Sequence, residues 1–294
     1  MKTLIFGSKG YLGQQFLGVY PDAATPSGNI ADRAFVSRVL DEVRPDVVIN
    51  AAGKTGRPNI DWCEDHKHET IEANITGPLV LLEECANRGI YWVHLGSGCI
   101  YQGDGSASLP SRLGRAETGT TGNGGRGFSE EDPPNYAGSF YSRTKAWIDQ
   151  ILKDFPVLNL RLRMPFDGSK NERNLITKLI KYPTVLDVQN SITYLPDFLK
   201  VAKKLIADRA TGTYNVVNPG SISPYEIMEK YTEMVDPAHT FKRLRLEDLS
   251  SVAKAGRSNC ILSTKKIESL PVKMKPVKEA VEEALATINN YEKK

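Results

Sequence analysis

The 294-residue chain has little cysteine, and its four (Cys63, Cys85, Cys99 and Cys260) stand far apart, with no CxxC or metal-ligand spacing. That scatter argues against a disulfide framework or a structural zinc site and fits reduced thiols. An excess of charge is also missing: 38 Lys and Arg face 35 Asp and Glu, for a net charge of +3. A surface so balanced is not that of a protein that lives by gripping nucleic-acid phosphates. No apolar run reaches the roughly 18 residues that a membrane helix needs. The opening Met1-Lys2-Thr3-Leu4-Ile5-Phe6 runs into glycines where a secretory leader would stay apolar. What remains, with 40% hydrophobic and 25% charged residues, is a cytoplasmic globular protein of one large domain or two small ones.

The first half alternates strand and helix signals. Thr3–Phe6 reads as a short strand ended by Gly7, and a helix carrying Tyr11, Leu12, Phe16 and Leu17 follows to about Tyr20. Asp32 is placed to cap a helix reaching Val43, with Phe35, Val36, Val39 and Leu40 on one face. Residues 46–50 and 91–95 are unbroken apolar runs of the kind buried on both faces of a sheet. A long helix over 69–88, stopped by Gly89, joins them. Residues 139–153 predict a further helix and 157–162 a further strand. Such alternation predicts an α/β fold, a Rossmann-like doubly wound parallel sheet. Past Pro165 helical segments dominate (171–181, 195–208, 224–234 and 277–289), predicting a smaller, mainly helical C-terminal substrate domain. The expected division is 1–165 and 166–294, with the chain free to cross back to the sheet. Between Gln102 and Gly127 an aperiodic Gly-, Ser-, Thr- and Arg-rich stretch reads as a long surface loop, either a tolerated insertion or a lid.

Gly7-Ser8-Lys9-Gly10-Tyr11-Leu12-Gly13 follows the first strand and opens the first helix. As a bare string, GxxGxxG is weak evidence. At this strand-to-helix turn, glycines allow a tight turn, close backbone approach to a pyrophosphate and close helix–sheet packing, while the helix N-terminus offers N–H donors. The position therefore predicts a dinucleotide site. Asp22 is hard to place at a strand end, where a carboxylate would hold a ribose 2′-hydroxyl, whereas Lys9, Thr25 and Ser27 suit a 2′-phosphate. The expectation is NADPH, with NADH the alternative. Tyr141 and Lys145 stand four apart, on one helix face, where an ammonium lowers a phenol's pKa from near 10. Alone, that pair would pass for an ordinary amphipathic helix. Ser97 ends the strand run of 91–95 with a hydroxyl at the carboxyl edge of the sheet.

Together, GxxGxxG, Asn50-Ala51-Ala52-Gly53, Ser97 and Tyr141-xxx-Lys145 resemble the extended short-chain dehydrogenase/reductase family. The resemblance implies that Tyr141 donates a proton, Lys145 assists it and holds the nicotinamide ribose, and Ser97 orients the substrate oxygen. It further implies cofactor contacts from Gly7 through Gly13, Asn29, Ile30, Ala51, Ala52, Gly53 and Met164. Longer strings are more specific. Residues 50–64, Gly98-Cys99-Ile100, 138–142, Arg173-Asn174-Leu175-Ile176-Thr177-Lys178, Pro219-Gly220 and Arg257-Ser258-Asn259 resemble the plant-type nucleotide-rhamnose synthases, 3,5-epimerase/4-reductases. The dTDP-4-dehydrorhamnose reductases are similar more distantly. The match covers nearly the whole chain and implies conversion of a nucleotide (UDP or dTDP) 4-keto-6-deoxyglucose to nucleotide-L-rhamnose, in a homodimer. It assigns inversion to Cys99 and Lys178 and substrate contacts to Thr55, Arg57, Ser97, Asn174, Lys178, Arg257 and Asn259.

That chemistry is consistent with the side chains. Protons at C3 and C5 flank a C4 ketone, so their removal gives an enolate, and inversion needs a base on one ring face and a donor on the other. A thiol or a partly buried amine can serve once its pKa falls. Which of Cys99 and Lys178 is acid and which is base stays open. Three alternatives stand beside this reading: a 4-ketoreductase alone, another nucleotide-sugar epimerase, and an NADP-binding regulatory subunit without catalysis. His66 and His68, among acidic neighbours, read as a solvated helix start and not as a metal site.

Overall fold

The computed structural model describes residues 1–105 and 125–292. The chain opens with β1 (Thr3–Phe6), α1 (Tyr11–Val19), α2 (Arg33–Val43) and β2 (Val47–Asn50). Asp32 caps α2 as expected, its carboxylate accepting the Ala34 and Phe35 amides. The short α3 (Trp62–Asp65) follows. The helix expected over 69–88 is built in three pieces: α4 (Lys67–Ile71), a π-helical turn over Glu72–Thr76, and α5 (Gly77–Asn87). Pro78 has no N–H to continue an α ladder, and the Gly77 amide donates to the Glu72 carbonyl, one residue further back than in an α-helix. Then come β3 (Tyr91–Ser97), α6 (Phe140–Leu152), β4 (Leu158–Leu162), β5 (Pro165–Phe166), α7 (Leu175–Ile180), β6 (Thr184–Leu186) and β7 (Thr193–Tyr194). The last elements are α8 (Leu195–Ala207), β8 (Gly212–Asn215), α9 (Pro224–Met234), β9 (Lys242–Leu244), α10 (Lys265–Glu268) and α11 (Val277–Glu292).

Five strands form the main sheet in the order β1-β2-β3-β4-β8. The pairs β1–β2 and β2–β3 are parallel, and every residue of β1, β2 and β3 is buried. Residues 21–25 run beside β1 without becoming a strand. They give one bridge, Ala24 to Leu4, because Pro21 and Pro26 bracket the segment.

The chain divides into two compact units, each discontinuous. The first comprises Met1–Ile100, Tyr136–Arg161 and Ala202–Tyr214; the second comprises Tyr101–Asn135, Leu162–Val201 and Asn215–Lys294. Residues 202–214 return to the first unit and contribute β8. Its core stacks Leu4, Phe6, Val36, Leu40, Val48, Leu81, Trp92, Ile148 and Leu152, each such side chain contributing about 1.5–3 kcal/mol on burial. Gly77 permits a close approach: a Cβ there would lie 2.4 Å from Ile30 Cγ1. The second unit has its own core, built by Phe166, Ile176, Ile192, Met228, Val281 and Leu285. Ser223 and Glu226 cap α9 reciprocally.

Most of the stretch 102–127, residues 106–124, lies outside the described residues. Its two flanks meet, the Gly127 amide donating to the Asp104 carbonyl at 2.9 Å. Among the described residues no helix is long and apolar enough to cross a membrane.

Candidate active site

The carboxyl ends of β1, β2 and β3 lie in register, Phe6 beside Asn50 and Asn50 beside His94. In open α/β sheets this edge receives the ligand. Gly7 leaves β1 at φ +78°, and a Cβ there would sit 2.4 Å from the Ala52 nitrogen. A Cβ on Gly13 would sit 2.2 Å from the Gly7 carbonyl oxygen. Neither backbone can move aside cheaply, so both positions need glycine. Helix α1 has no side-chain cap at Gly10 and no acidic residue in its first turn, which leaves its leading N–H groups for an outside acceptor. This cradle, with Ser8 buried and Lys9 exposed inside it, fits a dinucleotide pyrophosphate.

Beyond the turn, Lys9 Nζ reaches Ser27 Oγ at 3.4 Å. Asp22 is exposed in a turn, where no second strand ends. Asn29 donates to Glu72 Oε1 at 2.8 Å and accepts the Ala31 amide at 3.0 Å. The Ile30 side chain belongs to the first core. Gly53 is exposed, with Ala51 and Ala52 half-buried behind it. Met164, in the second unit, is held at φ +44°, an uncommon conformation for a residue with a long side chain.

At the end of β3 the Ser97 hydroxyl accepts the Cys99 amide at 3.1 Å, which orients its own O–H outward from that bond. Ser97 is buried and Cys99 half-buried. Helix α6 starts on Ser139, whose Oγ accepts the Ser142 amide at 3.1 Å, and on Glu64, whose carboxylate accepts the Phe140 amide at 2.6 Å. Tyr141 stands in the first turn of α6, half-buried, and one turn later comes Lys145, 7% exposed. Lys145 Nζ donates to the Leu95 carbonyl at 3.0 Å and lies 3.4 Å from His94 Nε2. Burial draws the Lys145 pKa down from 10.5 to about 8, against the pull of Asp149 and Cys99. Ser97, Cys99, Tyr141 and Lys145 thus belong to one unit, at one end of β3 and the first turns of α6.

The other expected residues are spread wider. Thr55 and Arg57 are exposed in the loop after β2, which Asn74 clamps by accepting the Lys54 amide at 2.8 Å and donating to its carbonyl at 2.9 Å. Lys178, Asn174, Arg257 and Asn259 lie in the second unit. Lys178 is half-buried on α7, its pKa lowered first by burial and then by Arg173. Asn174 is fully buried: its Oδ1 accepts the Ile176 amide, and its Nδ2 donates to the Asp167 and Ser169 carbonyls and to Asp167 Oδ1. Its amide is taken up in holding the loop before α7. Asn259, 1% exposed, accepts from Asn190 and donates to the Arg257 carbonyl. The half-buried Arg257 donates to the Ala255 carbonyl at 2.7 Å. Sequence reasoning passed over Asn74, Glu64 and His94. Only His94 gave a signal, being an imidazole inside an otherwise apolar strand.

Compared with known proteins, residues 1–290 match the family model described as RmlD substrate binding domain. The chain is 39% identical over 285 residues to a bifunctional dTDP-4-dehydrorhamnose 3,5-epimerase/dTDP-4-dehydrorhamnose reductase of Arabidopsis thaliana, covering 95% of this chain and 90% of that one. It is 35% identical to an Arabidopsis trifunctional UDP-glucose 4,6-dehydratase/UDP-4-keto-6-deoxy-D-glucose 3,5-epimerase/UDP-4-keto-L-rhamnose-reductase, covering 96% of this chain but 41% of the larger protein. Among solved structures, the L780 UDP-rhamnose synthase of Acanthamoeba polyphaga mimivirus superposes with a TM-score of 0.87 at 32% identity, covering 98% and 99% of the two chains.

Proposed function

The chain belongs to the RmlD substrate-binding-domain family, and from that premise we propose that it converts a nucleotide-linked 4-keto-6-deoxyglucose to nucleotide-L-rhamnose, inverting C3 and C5 and then reducing C4. The observation that carries this reading is that Ser97, Cys99, Tyr141 and the buried Lys145 stand at the end of β3 and the start of α6, in the same compact unit as the glycine cradle. Similarity to the bifunctional and trifunctional plant enzymes and to the viral UDP-rhamnose synthase supports the two-step reaction. The cofactor is a nicotinamide dinucleotide. The exposed Lys9–Ser27 pair, with no carboxylate at a strand end, favours NADPH.

Bound in the cradle, the cofactor supplies the hydride that reaches C4. The chain's residues manage the protons. Tyr141 gives its phenolic proton to the C4 oxygen, Ser97 donates a hydrogen bond to that oxygen, and Lys145 supplies positive charge one turn from the phenol. Cys99 and Lys178 exchange the C3 and C5 protons, which the ketone acidifies. Arg57 and Arg257 are the cations proposed for the nucleotide diphosphate, with Thr55 near the former, Asn259 bonded to the carbonyl of the latter, and Asn174 in the loop that leads to Lys178. The homodimer is supported by an exposed apolar strip on α6, Trp147 at 47% and Ile151 at 36%. A cytoplasmic setting agrees with four cysteines that form no disulfide with one another.

The test is incubation with UDP- and dTDP-4-keto-6-deoxyglucose and NADPH in heavy water, following cofactor absorbance, deuterium at C3 and C5, and the sugar formed. Cys99→Ala is expected to remove deuterium incorporation while sparing reduction of a ketosugar already inverted. Equal loss of both activities in a folded variant would end the division of labour.

A further inference from the structure

His94 has no part in the reading above, and it sits where two N–H donors converge on one imidazole. The ring is 1% exposed at the middle of the sheet. On one side Asn50 of β2 approaches Nδ1 through its Nδ2 at 3.3 Å. That amide's orientation is fixed, because Asn50 Oδ1 accepts the Ala52 backbone N–H at 3.1 Å. Nδ2, which can only donate, therefore faces the ring. On the other side Lys145 Nζ stands 3.4 Å from Nε2 while it donates to the Leu95 carbonyl at 3.0 Å.

A neutral imidazole carries one N–H and one lone pair. With Nδ1 accepting from Asn50, the proton rests on Nε2 and points at Lys145. An amine there accepts it, and every contact is made. An ammonium, which donates on all sides, meets a second donor instead. The ring relieves that only by moving its proton to Nδ1, against the Asn50 N–H. Nor does the imidazole take up the charge itself, since burial, and after it the Lys145 cation, hold its pKa well below the ordinary range.

We infer that Asn50 and His94 are positioning residues that set the protonation of Lys145, the amide fixing the tautomer and the tautomer biasing the amine. The turn that carries Ala51 and Ala52 is thereby coupled to the proton-donating face of α6. The other ionisable groups around the amine are Asp149, one turn on and paired with Arg161 of β4, the Cys99 thiol past β3, and Tyr141 one turn back. Asp149 and Cys99 favour the ammonium, so His94 opposes them. The catalytic meaning of this device rests on the reduction proposed above; the tautomer itself does not.

Nitrogen-15 NMR of the histidines in the full-length chain tests it. There are four histidines, and His94→Gln identifies the signals of residue 94. The wild-type ring is expected to be protonated at Nε2 and bare at Nδ1 from about pH 5 to about pH 9, and Asn50→Ala is expected to move the proton toward Nδ1. In kinetics, the basic limb of the pH profile for 4-keto reduction is expected to rise by about one pH unit in both variants, as Lys145 keeps its proton longer. A wild-type ring protonated at Nδ1, or a limb unmoved in both variants while kcat falls, overturns the inference. Should the chain reduce no 4-keto sugar, the proposed function falls, and the imidazole spectra still decide this point.

Discussion

Both units bury polar side chains, but to different ends. In the first, Asn50, His94 and Lys145 meet across contacts of 3.3 and 3.4 Å, and two of the three are ionisable. In the second, buried polar groups end mostly on main-chain atoms. Asn190 accepts the Cys260 amide and donates to the Val188 carbonyl, Asn218 accepts the Tyr194 amide and donates to the Lys275 carbonyl, and Arg163 donates to the Ser258 carbonyl and hydroxyl. An uncharged amide saturated by backbone fixes a loop at little cost. A buried amine must lose its proton or pay for desolvation. The second arrangement holds shape; the first is the one to which we assign chemistry.

Four substitutions sharpen that contrast. The largest effect is expected from Arg161→Leu. It leaves the Asp149 carboxylate, 2% exposed, without the guanidinium that binds both its oxygens. Urea unfolding should show a loss of about 3–5 kcal/mol, and a loss under about 1 kcal/mol would mean the pair does not tie α6 to β4. Next is Asn174→Ala, which takes away the Asn174 partner of the Asp167 and Ser169 carbonyls and of the Ile176 amide; about 1–3 kcal/mol should be lost. If stability is unchanged and only the KM for the sugar nucleotide rises, Asn174 belongs to chemistry and the contrast breaks.

Lys145→Met is expected to act in the opposite direction. Its folded pKa of about 8 lies below the ordinary 10.5, so the folded chain pays for the ammonium in full below pH 8. That cost fades as pH rises through 8 to about 10.4, where the unfolded chain also gives up its proton. The variant should therefore be more stable than wild type by about 1–3 kcal/mol at neutral pH, lose most of that advantage as pH nears about 10.4, and fail to reduce a 4-keto sugar. The smallest effect is expected from Asp132→Asn. Arg126 and the Ser129 amide and hydroxyl hold the Asp132 carboxyl near pKa 2, so its contribution is present above about pH 4 and is lost as pH falls toward 2. The variant should lack that part of the acid sensitivity and match wild type in activity.

Much of the fold was legible because β1, β2 and β3 are largely apolar runs and Asp32 marks its helix by local capping chemistry. Local signals failed where distant residues decide. Nothing near residue 212 announces that β8 returns to the first sheet, and nothing near 100 or 135 announces that Tyr101–Asn135 belongs to the second unit. The π turn before Pro78 escaped notice because helical periodicity barely registers one extra residue. Within the site, Gly7, Ser97, Tyr141 and Lys145 stand out by type and spacing. Asn74 and Glu64 do not, since each acts on a backbone group 20 or 76 residues away.

The return of β8 has a consequence for biogenesis. A ribosome must release nearly three-quarters of the chain before the sheet of the first unit has all five strands, and by then Leu162–Val201 of the other unit has already emerged. No single cut yields either half intact. The first unit is therefore not a transplantable cassette, and fragments ending near residue 165 should leave the β4 edge unpaired and prone to aggregate.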